Sequence, residues 1–271
     1  MTPVSEPGAA SGAAGEGRAV READESWQTG VETLRKAVRT ALTDAADPAK
    51  APMMQAYMKS AMPFLGVQAA PRRAALRPVF TEYPVGDASA WREAVLALWR
   101  EAEYREERYA AVELTGFRRY RGFQTTEALP MYEEMIVTGA WWDYVDELAV
   151  HRVGGLLAAF PDTMRPLMLR WAHDDDLWKR RTAILCQNRF GAATDTGLLY
   201  ACIAPSLSDT DFFARKAIGW ALREYAKTNP DEVVRYVDHT GITGLSRREA
   251  LKNLPAGGLR PARPRSAGPI A

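Results

Sequence analysis

The sequence is poor in the residues that bind metals or form disulfides. Its only cysteines are Cys186 and Cys202, and its three histidines, His151, His173 and His239, lack the spacing of a zinc site. Both cysteines lie among apolar residues, which predicts buried free thiols rather than a disulfide or a catalytic thiol. We therefore expect neither a metal nor a cofactor.

Long apolar segments are also missing. The longest runs, such as residues 156–160, are far shorter than the roughly 20 residues of a membrane-spanning helix. The N-terminal residues have no basic start followed by an apolar run, so they do not resemble a secretory signal. A hydrophobic content of 47% is nevertheless enough for a large core. The composition predicts a soluble, cytoplasmic protein with no membrane partner.

The regular structure predicted from the sequence is entirely helical. Both ends are rich in proline, glycine and alanine and low in large apolar residues, so we predict flexible tails over residues 1–25 and 256–271. Over residues 26–255, apolar residues recur at helical spacing, and no period-two strand stands out. Prolines and glycines divide this region into short antiparallel helices. The fold class is all-α.

The spacing of three unusual residues favours a solenoid over a simple bundle. Asp146 and Arg181 are 35 residues apart, and Arg181 and Trp220 are 39 apart. HEAT-type helix pairs repeat about every 40 residues, so these side chains would project from neighbouring repeats onto one surface. We predict a superhelical stack of antiparallel HEAT-like helix pairs with a concave groove.

The net charge of +1 conceals an uneven distribution of charge. Residues 1–50 carry six basic and eight acidic side chains, whereas residues 246–271 carry six basic and one acidic. Basic residues also cluster at 118–121, at 179–181 and at 215–216. Each cluster could be a solvated helix face, but together they predict a basic groove that suits a polyanion.

The segment GAWWDYVDEL combines an indole and a carboxylate. Trp142 and Asp146 are one helical turn apart on one face, while Trp141, Val145 and Leu148 can supply the buried stripe. A partly desolvated carboxylate beside an aromatic face can stabilise a positive centre. A structural tryptophan beside a salt-bridged aspartate is the alternative explanation.

The segment from residue 209 to 230 separates into two helix faces. Ala214, Ile218, Ala221 and Tyr225 form a core stripe, and Trp220 lies roughly 200° away from it. Trp220 shares the second face with three cations, Lys216, Arg223 and Lys227. Basic groups interleaved with an aromatic are typical of nucleic-acid surfaces, so we predict an exposed, functional tryptophan. Packing between repeats is the alternative.

Arg181 shares a stripe with Leu177 and Ile184, so its guanidinium is predicted to be half-buried and in need of an anion. Asp146 or a phosphate oxygen could accept its planar fork of donors. The sequence leaves both open, together with a purely structural ion pair.

Five segments, read in order, resemble the AlkD-type DNA alkylation repair glycosylases: YMKSAMPFLGVQ, WWDYVD, LWKRRTAILCQ, RKAIGWALREYAKTNP and LSRREALK. The resemblance extends from about residue 30 to about residue 255. It implies a stack of HEAT-like helix pairs around duplex DNA and hydrolysis of the glycosidic bond of purines alkylated at N3 or N7. It also implies that bulky adducts are accepted, because the lesion is cleaved without being enclosed.

The resemblance places the reactive centre at Trp142, Asp146, Arg181 and Trp220. It adds Tyr57 and Gln68 to the groove. With the basic clusters, the predicted DNA contacts are Tyr57, Lys59, Gln68, Arg72, Arg118, Arg119, Arg180, Lys216, Arg223, Lys227, Arg247 and Arg248. The expected partner is duplex DNA containing alkylated purines, bound by a monomer at the nucleoid without an obligate protein partner.

Two other functions remain open at this stage. A non-catalytic helical-repeat protein that binds damaged DNA would need the cationic stripe but not Asp146. A repeat scaffold that binds another protein would need neither. Because all four positions of the reactive centre are filled, the sequence favours the enzyme.

Overall fold

The computed structural model describes residues 29–254, so the predicted tails, residues 1–25 and 256–271, lie outside the described residues. All regular structure in the described part is helical, which confirms the all-α prediction. None of these helices is both long and apolar enough to cross a membrane. The chain divides into two compact units, Met1–Phe123 and Gln124–Ala271.

The described helices of the first unit form around a core that includes Trp91, Trp99 and Leu114. Helix α1 covers residues 29–44, and the others are α2 (Ala51–Met58), α3 (Ala69–Glu82), α4 (Ala88–Arg100), α5 (Arg105–Thr115) and a 3₁₀ segment (Arg118–Phe123). The buried Glu106 carboxylate accepts from the backbone N–H groups of residues 65, 66 and 67, at 2.9 to 3.0 Å. That contact holds the loop leading into α3.

The second unit is a succession of short helices. They are α6 (Leu129–Gly139), α7 (Trp142–Glu147), a π turn (Leu148–Val153), α8 (Gly154–Ala159), α9 (Pro161–Ala172), α10 (Leu177–Leu185), α11 (Thr196–Ile203), α12 (Phe212–Ala226), α13 (Pro230–Thr240) and α14 (Gly244–Ala250). Helix α7, the π turn and α8 follow one another without a break.

The helices of the second unit pack in the alternating order of a helical repeat. Helix α10 packs against α7, α9 and α12, and α12 packs against α13 and α14, while α9 also contacts α11. Helices α7, α10 and α12 therefore form one row of neighbours, as the 35- and 39-residue spacings predicted, and α14 extends this row. This order confirms the helical-repeat solenoid; the concave basic groove stays a prediction.

The core of the second unit contains the predicted apolar stripes. Ala214, Ile218, Ala221 and Tyr225 are all buried, which confirms the core face of α12. Cys186 and Cys202 are buried free thiols, as predicted. Burial raises the pKa of the Cys202 thiol to about 12, so this sulfur is not an activated nucleophile at neutral pH.

Candidate active site

Two of the three helices that carry the predicted reactive residues, α10 and α12, begin at aspartate caps. The Asp176 carboxylate accepts from the backbone N–H groups of residues 178 and 179 at the start of α10. Asp211 does the same for residues 213 and 214 at the start of α12. These caps satisfy backbone donors that a helix start leaves unpaired. They fix where α10 and α12 begin, and so the register of Arg181 and Trp220.

Trp141 lies outside the helix to which the sequence pattern assigned it. Helix α6 ends at Gly139 and is followed by Ala140, which has a left-handed φ of 42°. Trp141 then has an extended backbone before α7 begins at Trp142. The Trp141 ring packs edge-on against Phe213, with a centroid distance of 5.3 Å, and lies beside Trp178. This aromatic cluster joins the starts of α7, α10 and α12.

Asp146 and Arg181 form a forked ion pair between α7 and α10. The Arg181 Nε donates to Asp146 Oδ1 at 2.7 Å, and Nη2 donates to Oδ2 at 2.8 Å. The third edge of the guanidinium, Nη1, donates to the backbone oxygen of Phe213 at 2.6 Å. Of the partners that the sequence left open, the structure selects Asp146. One buried cation thus ties together the three helices that carry the predicted centre.

Burial affects the protonation of the Asp146 carboxyl. The Asp146 side chain is 17% exposed and that of Arg181 only 6%. Burial raises the pKa of the Asp146 carboxyl above its ordinary value; the Arg181 guanidinium lowers it, and the neighbouring Asp143 charge raises it further. Each oxygen of the ionised carboxylate keeps lone pairs beyond those that Arg181 uses. The exposed part of Asp146 can therefore accept from water or face a developing cation.

Asp146 opens into a cleft of about 280 Å³. The cleft brings together all four residues of the predicted centre and adds two aromatic and two basic side chains; its lining is Trp142, Asp146, Arg181, Phe212, Phe213, Lys216, Trp220 and Arg223. Phe212 is 58% exposed. Sequence reasoning missed Phe212 and Phe213, although two adjacent aromatics directly after a capping aspartate were the available signal.

Two cations of the cleft share one carboxylate. Lys216 Nζ lies 3.1 Å from Glu249 Oε1, and Arg223 Nη1 lies 2.5 Å from Glu249 Oε2. Helix α14 can bring Glu249 this close because residue 219 is glycine: a Cβ at Gly219 would overlap the Cβ of Glu249. The predicted cationic face is therefore partly neutralised, and Lys216, Arg223 and Glu249 together keep one positive charge. The sequence did contain a signal for this contact, because Glu249 is the only acidic residue within residues 246–271, where six residues are basic.

Trp220 was predicted to be exposed, but the structure shows it half-buried. It packs against the core of the second unit, and its Nε1 donates to Glu224 Oε1 at 3.2 Å. Lys227, at the end of the same face, lies 2.5 Å from the other oxygen of Glu224. The prediction assumed a single buried stripe, whereas α12 packs against α10, α13 and α14 and so buries a wider arc.

Three other predicted DNA contacts of the second unit have different surroundings. Arg180 donates to the backbone oxygens of Asp174 and Asp175 and to the Asp209 carboxylate, so it holds two loops together. Arg247 is paired with Asp238 at 2.8 Å. Arg248 is exposed. Arg180 and Arg247 therefore have partners within the protein, and their contact with DNA stays a prediction.

In the first unit, most predicted DNA contacts are exposed; they are Tyr57, Lys59, Gln68, Arg118 and Arg119. Arg72 is the exception, because it is buried with its Nε 2.8 Å from Glu113 Oε1 and its guanidinium stacked over Tyr109. The sequence could not distinguish Arg72 from the adjacent, exposed Arg73. Arg72 is part of the core of its unit.

Comparisons with known proteins bear on the family of this chain. The family model described as DNA alkylation repair enzyme matches residues 38–254. A solved structure described as a predicted DNA alkylation repair enzyme from Enterococcus faecalis is 28% identical, with a TM-score of 0.69, over 77% of this chain and 96% of that chain. A search of curated proteins found no match. With the family model covering most of its length, the chain belongs to the DNA alkylation repair enzyme family.

Proposed function

We propose that this protein is a DNA glycosylase that hydrolyses the glycosidic bond of purines alkylated at N3 or N7 in duplex DNA. The observation that carries the proposal is the forked Asp146–Arg181 pair, whose carboxylate opens into a cleft lined by indole and phenyl rings and by cations. The family is named for repair of alkylated DNA. A carboxylate fixed in this way is what a glycosidic cleavage needs.

The chemistry follows from the charge of the substrate. A purine alkylated at N3 or N7 carries a positive charge, so the base leaves neutral and needs no strong acid. As the bond from the base nitrogen to C1′ breaks, its electron pair stays with the base and positive charge grows at the sugar. Asp146 is held in place to stabilise that charge, and preorganised charges of this kind commonly make the greatest single contribution to catalysis. A water then adds at C1′ through its oxygen and loses a proton to bulk water, which leaves a neutral abasic sugar.

The other residues of the cleft have supporting roles in this proposal. The rings of Trp142 and Trp220 contact the sugar and backbone of the lesion nucleotide, where their negative faces also favour a cation. Lys216 and Arg223 attract the flanking phosphates. Arg181 is a positioning residue, because both of its bonds to Asp146 fix the carboxylate that faces the sugar. The proposed partner is duplex DNA, bound by a monomer in the cytoplasm at the nucleoid.

The identity of the products tests this proposal. The purified full-length chain is incubated with a duplex that carries one 7-methylguanine, and the mixture is analysed for the free base and for an abasic strand. We expect both in equal amounts. A complex that holds the lesion tightly while the modified strand stays intact would instead support the non-catalytic damage-binding function.

Removing the Glu249 charge should strengthen DNA binding. In Glu249→Gln, Lys216 and Arg223 lose their shared anion and become available to phosphates, so affinity for an undamaged duplex should rise. The slope of log affinity against log salt concentration should become steeper by between about one and two. Fluorescence anisotropy over a salt series measures both.

The matched control for that change is Asp231→Asn, an acid-to-amide change on the exposed start of α13. It alters the net charge of the protein equally but frees neither cation. An equal gain of affinity in both variants would mean that total charge, and not the cleft, determines binding.

The rate of base release should fall in acid over a range set by Asp146. Because burial raises the pKa of this carboxyl above the ordinary 3.8 and the active form is ionised, activity should be lost as pH falls through that raised pKa. Asp143→Asn removes a charge that helps to raise the pKa of Asp146. The acid limb of its pH–rate profile, where the rate falls with falling pH, should therefore shift to lower pH, with little change of the rate near neutral pH. Single-turnover rates over a pH series provide the comparison, and coincident limbs would contradict the assignment.

A further inference from the structure

A polar pocket on another side of α12 is lined by an arginine that the proposed mechanism does not use. Arg215 lines this pocket, whereas its neighbour Lys216 lines the cleft. The pocket has a volume of about 240 Å³ and shares no lining residue with the cleft. That volume exceeds the roughly 30 Å³ of one liquid water several-fold, so it can hold a tetrahedral anion.

Several donors around this pocket are unused within the described part of the protein. Five hydroxyl-bearing side chains line it with Arg215. Thr240 Oγ1 donates to the backbone oxygen of Tyr236 and Ser246 is buried, which leaves Ser208, Thr210 and Thr243. Among residues 29–254, the Arg215 guanidinium and these three hydroxyls have no hydrogen-bond or ion-pair partner. Thr243 precedes α14 but does not cap it with its side chain. A guanidinium normally finds an acceptor for its fork of N–H donors. Arg215 is half-buried and the three hydroxyl residues are exposed, so water or an anion from outside can supply that acceptor.

The single carboxylate in the lining belongs to Asp209, and both of its oxygens already have partners outside the pocket cluster. Asp209 Oδ2 lies 3.1 Å from Arg180 Nη2, and Oδ1 accepts from the backbone N–H of Asp211 at 2.8 Å. Its charge is therefore balanced by Arg180. The pocket retains the positive charge of Arg215, surrounded by hydroxyl groups.

The chain leaves space for the guanidinium at the rim of the pocket. Gly244 has a φ of 58°, and a Cβ at this position would overlap Arg215 Nη2. Only glycine combines this backbone conformation with an open side. The guanidinium is thus accommodated next to Thr243 because residue 244 has no side chain.

We propose that Arg215, with Ser208, Thr210 and Thr243, forms a binding site for a phosphate group, separate from the cleft of Asp146. Arg215 supplies a planar fork of N–H donors and the hydroxyls supply further donors, a combination suited to phosphate oxygens. The phosphate comes either from the DNA backbone, a source that rests on the proposed function, or from free inorganic phosphate, which does not.

Two measurements on the full-length chain test the site, each with Arg215→Gln and with Arg235→Gln as the matched control. Arg235 is exposed on α13 and lies outside both cavities, so its variant makes the same charge change elsewhere. Thermal melts establish that both variants fold. Thr243→Val provides a second variant that keeps the charge and removes one hydroxyl.

The first measurement is the salt dependence of binding to an undamaged duplex. If the ligand is a backbone phosphate, Arg215→Gln should weaken binding about tenfold and lower the salt slope by about one, while the control is unchanged. The second measurement is a titration with inorganic phosphate, followed by the backbone amide signals of Thr210 and Thr243. If free phosphate is the ligand, those signals should shift in the parent and in the control but not in Arg215→Gln, and only weakly in Thr243→Val.

The proposal is overturned if Arg215→Gln matches Arg235→Gln in both measurements. This outcome is distinct from failure of the proposed function, because the release of 7-methylguanine by the parent is measured separately and does not depend on the phosphate titration.

Discussion

Replacing Asp146 with asparagine is expected to slow the release of an alkylated purine by a factor on the order of 10² or more. The amide keeps the size of the side chain but removes the charge that faces the sugar, and it can satisfy only part of the Arg181 fork. Affinity for the duplex should stay near that of the parent, since the phosphates contact other residues in the proposal. Single-turnover release and anisotropy measure the two quantities.

Asp143→Asn is the matched control for this change, because it makes the same substitution on the same helix, one turn away. It should leave the rate at neutral pH close to that of the parent. An Asp146→Asn variant with the parent's rate would show that this carboxylate is not the reactive group, whatever else the cleft binds.

Replacing Arg181 with methionine is expected to cost both stability and activity. The change leaves the buried Asp146 carboxylate without its partner, and removing one member of a buried ion pair typically destabilises a protein by about 3 to 5 kcal/mol. Because Arg181 lowers the pKa of Asp146, its loss should also move the acid limb of the rate profile to higher pH. Thermal unfolding and the pH series follow these two effects.

Two further variants separate positioning from stability. Arg181→Lys keeps the charge but not the fork, so it should fold better than Arg181→Met and still release the base slowly. Arg39→Met breaks a forked pair of similar geometry with Glu107 in the first unit, at 2.7 and 3.1 Å. It should lower the melting temperature without moving the acid limb. A limb that moves equally in both methionine variants would assign Arg181 a purely structural role.

The fold was predictable because the sequence repeats one physical pattern. Apolar spacing identified the helices, and the core face of α12 was confirmed residue by residue. The spacing of Asp146, Arg181 and Trp220 predicted neighbouring helices because each helix pair adds a nearly constant length of chain. The division into two compact units was not predicted, since helical spacing continues on both sides of the boundary at Phe123.

The surroundings of the charged residues were harder to predict. A helical wheel shows which face a lysine or arginine occupies but not which acid a neighbouring helix brings to it. Glu249 reaches Lys216 and Arg223 from α14, and Arg72 is paired with Glu113 from α5. These contacts join residues that are 26 to 41 positions apart, so they depend on helix packing that the local sequence does not encode.

The most direct test of the proposed activity is the release of 7-methylguanine from a duplex under single-turnover conditions, with protein in excess so that DNA binding and product release do not limit the rate. We predict that the free base and an abasic strand accumulate together, far faster than spontaneous depurination in the same buffer. The Asp146→Asn/Arg181→Lys double variant should remain at or near the spontaneous rate. Release by the parent that is no faster than in buffer alone, with the duplex demonstrably bound, would contradict the proposal that this cleft excises alkylated purines.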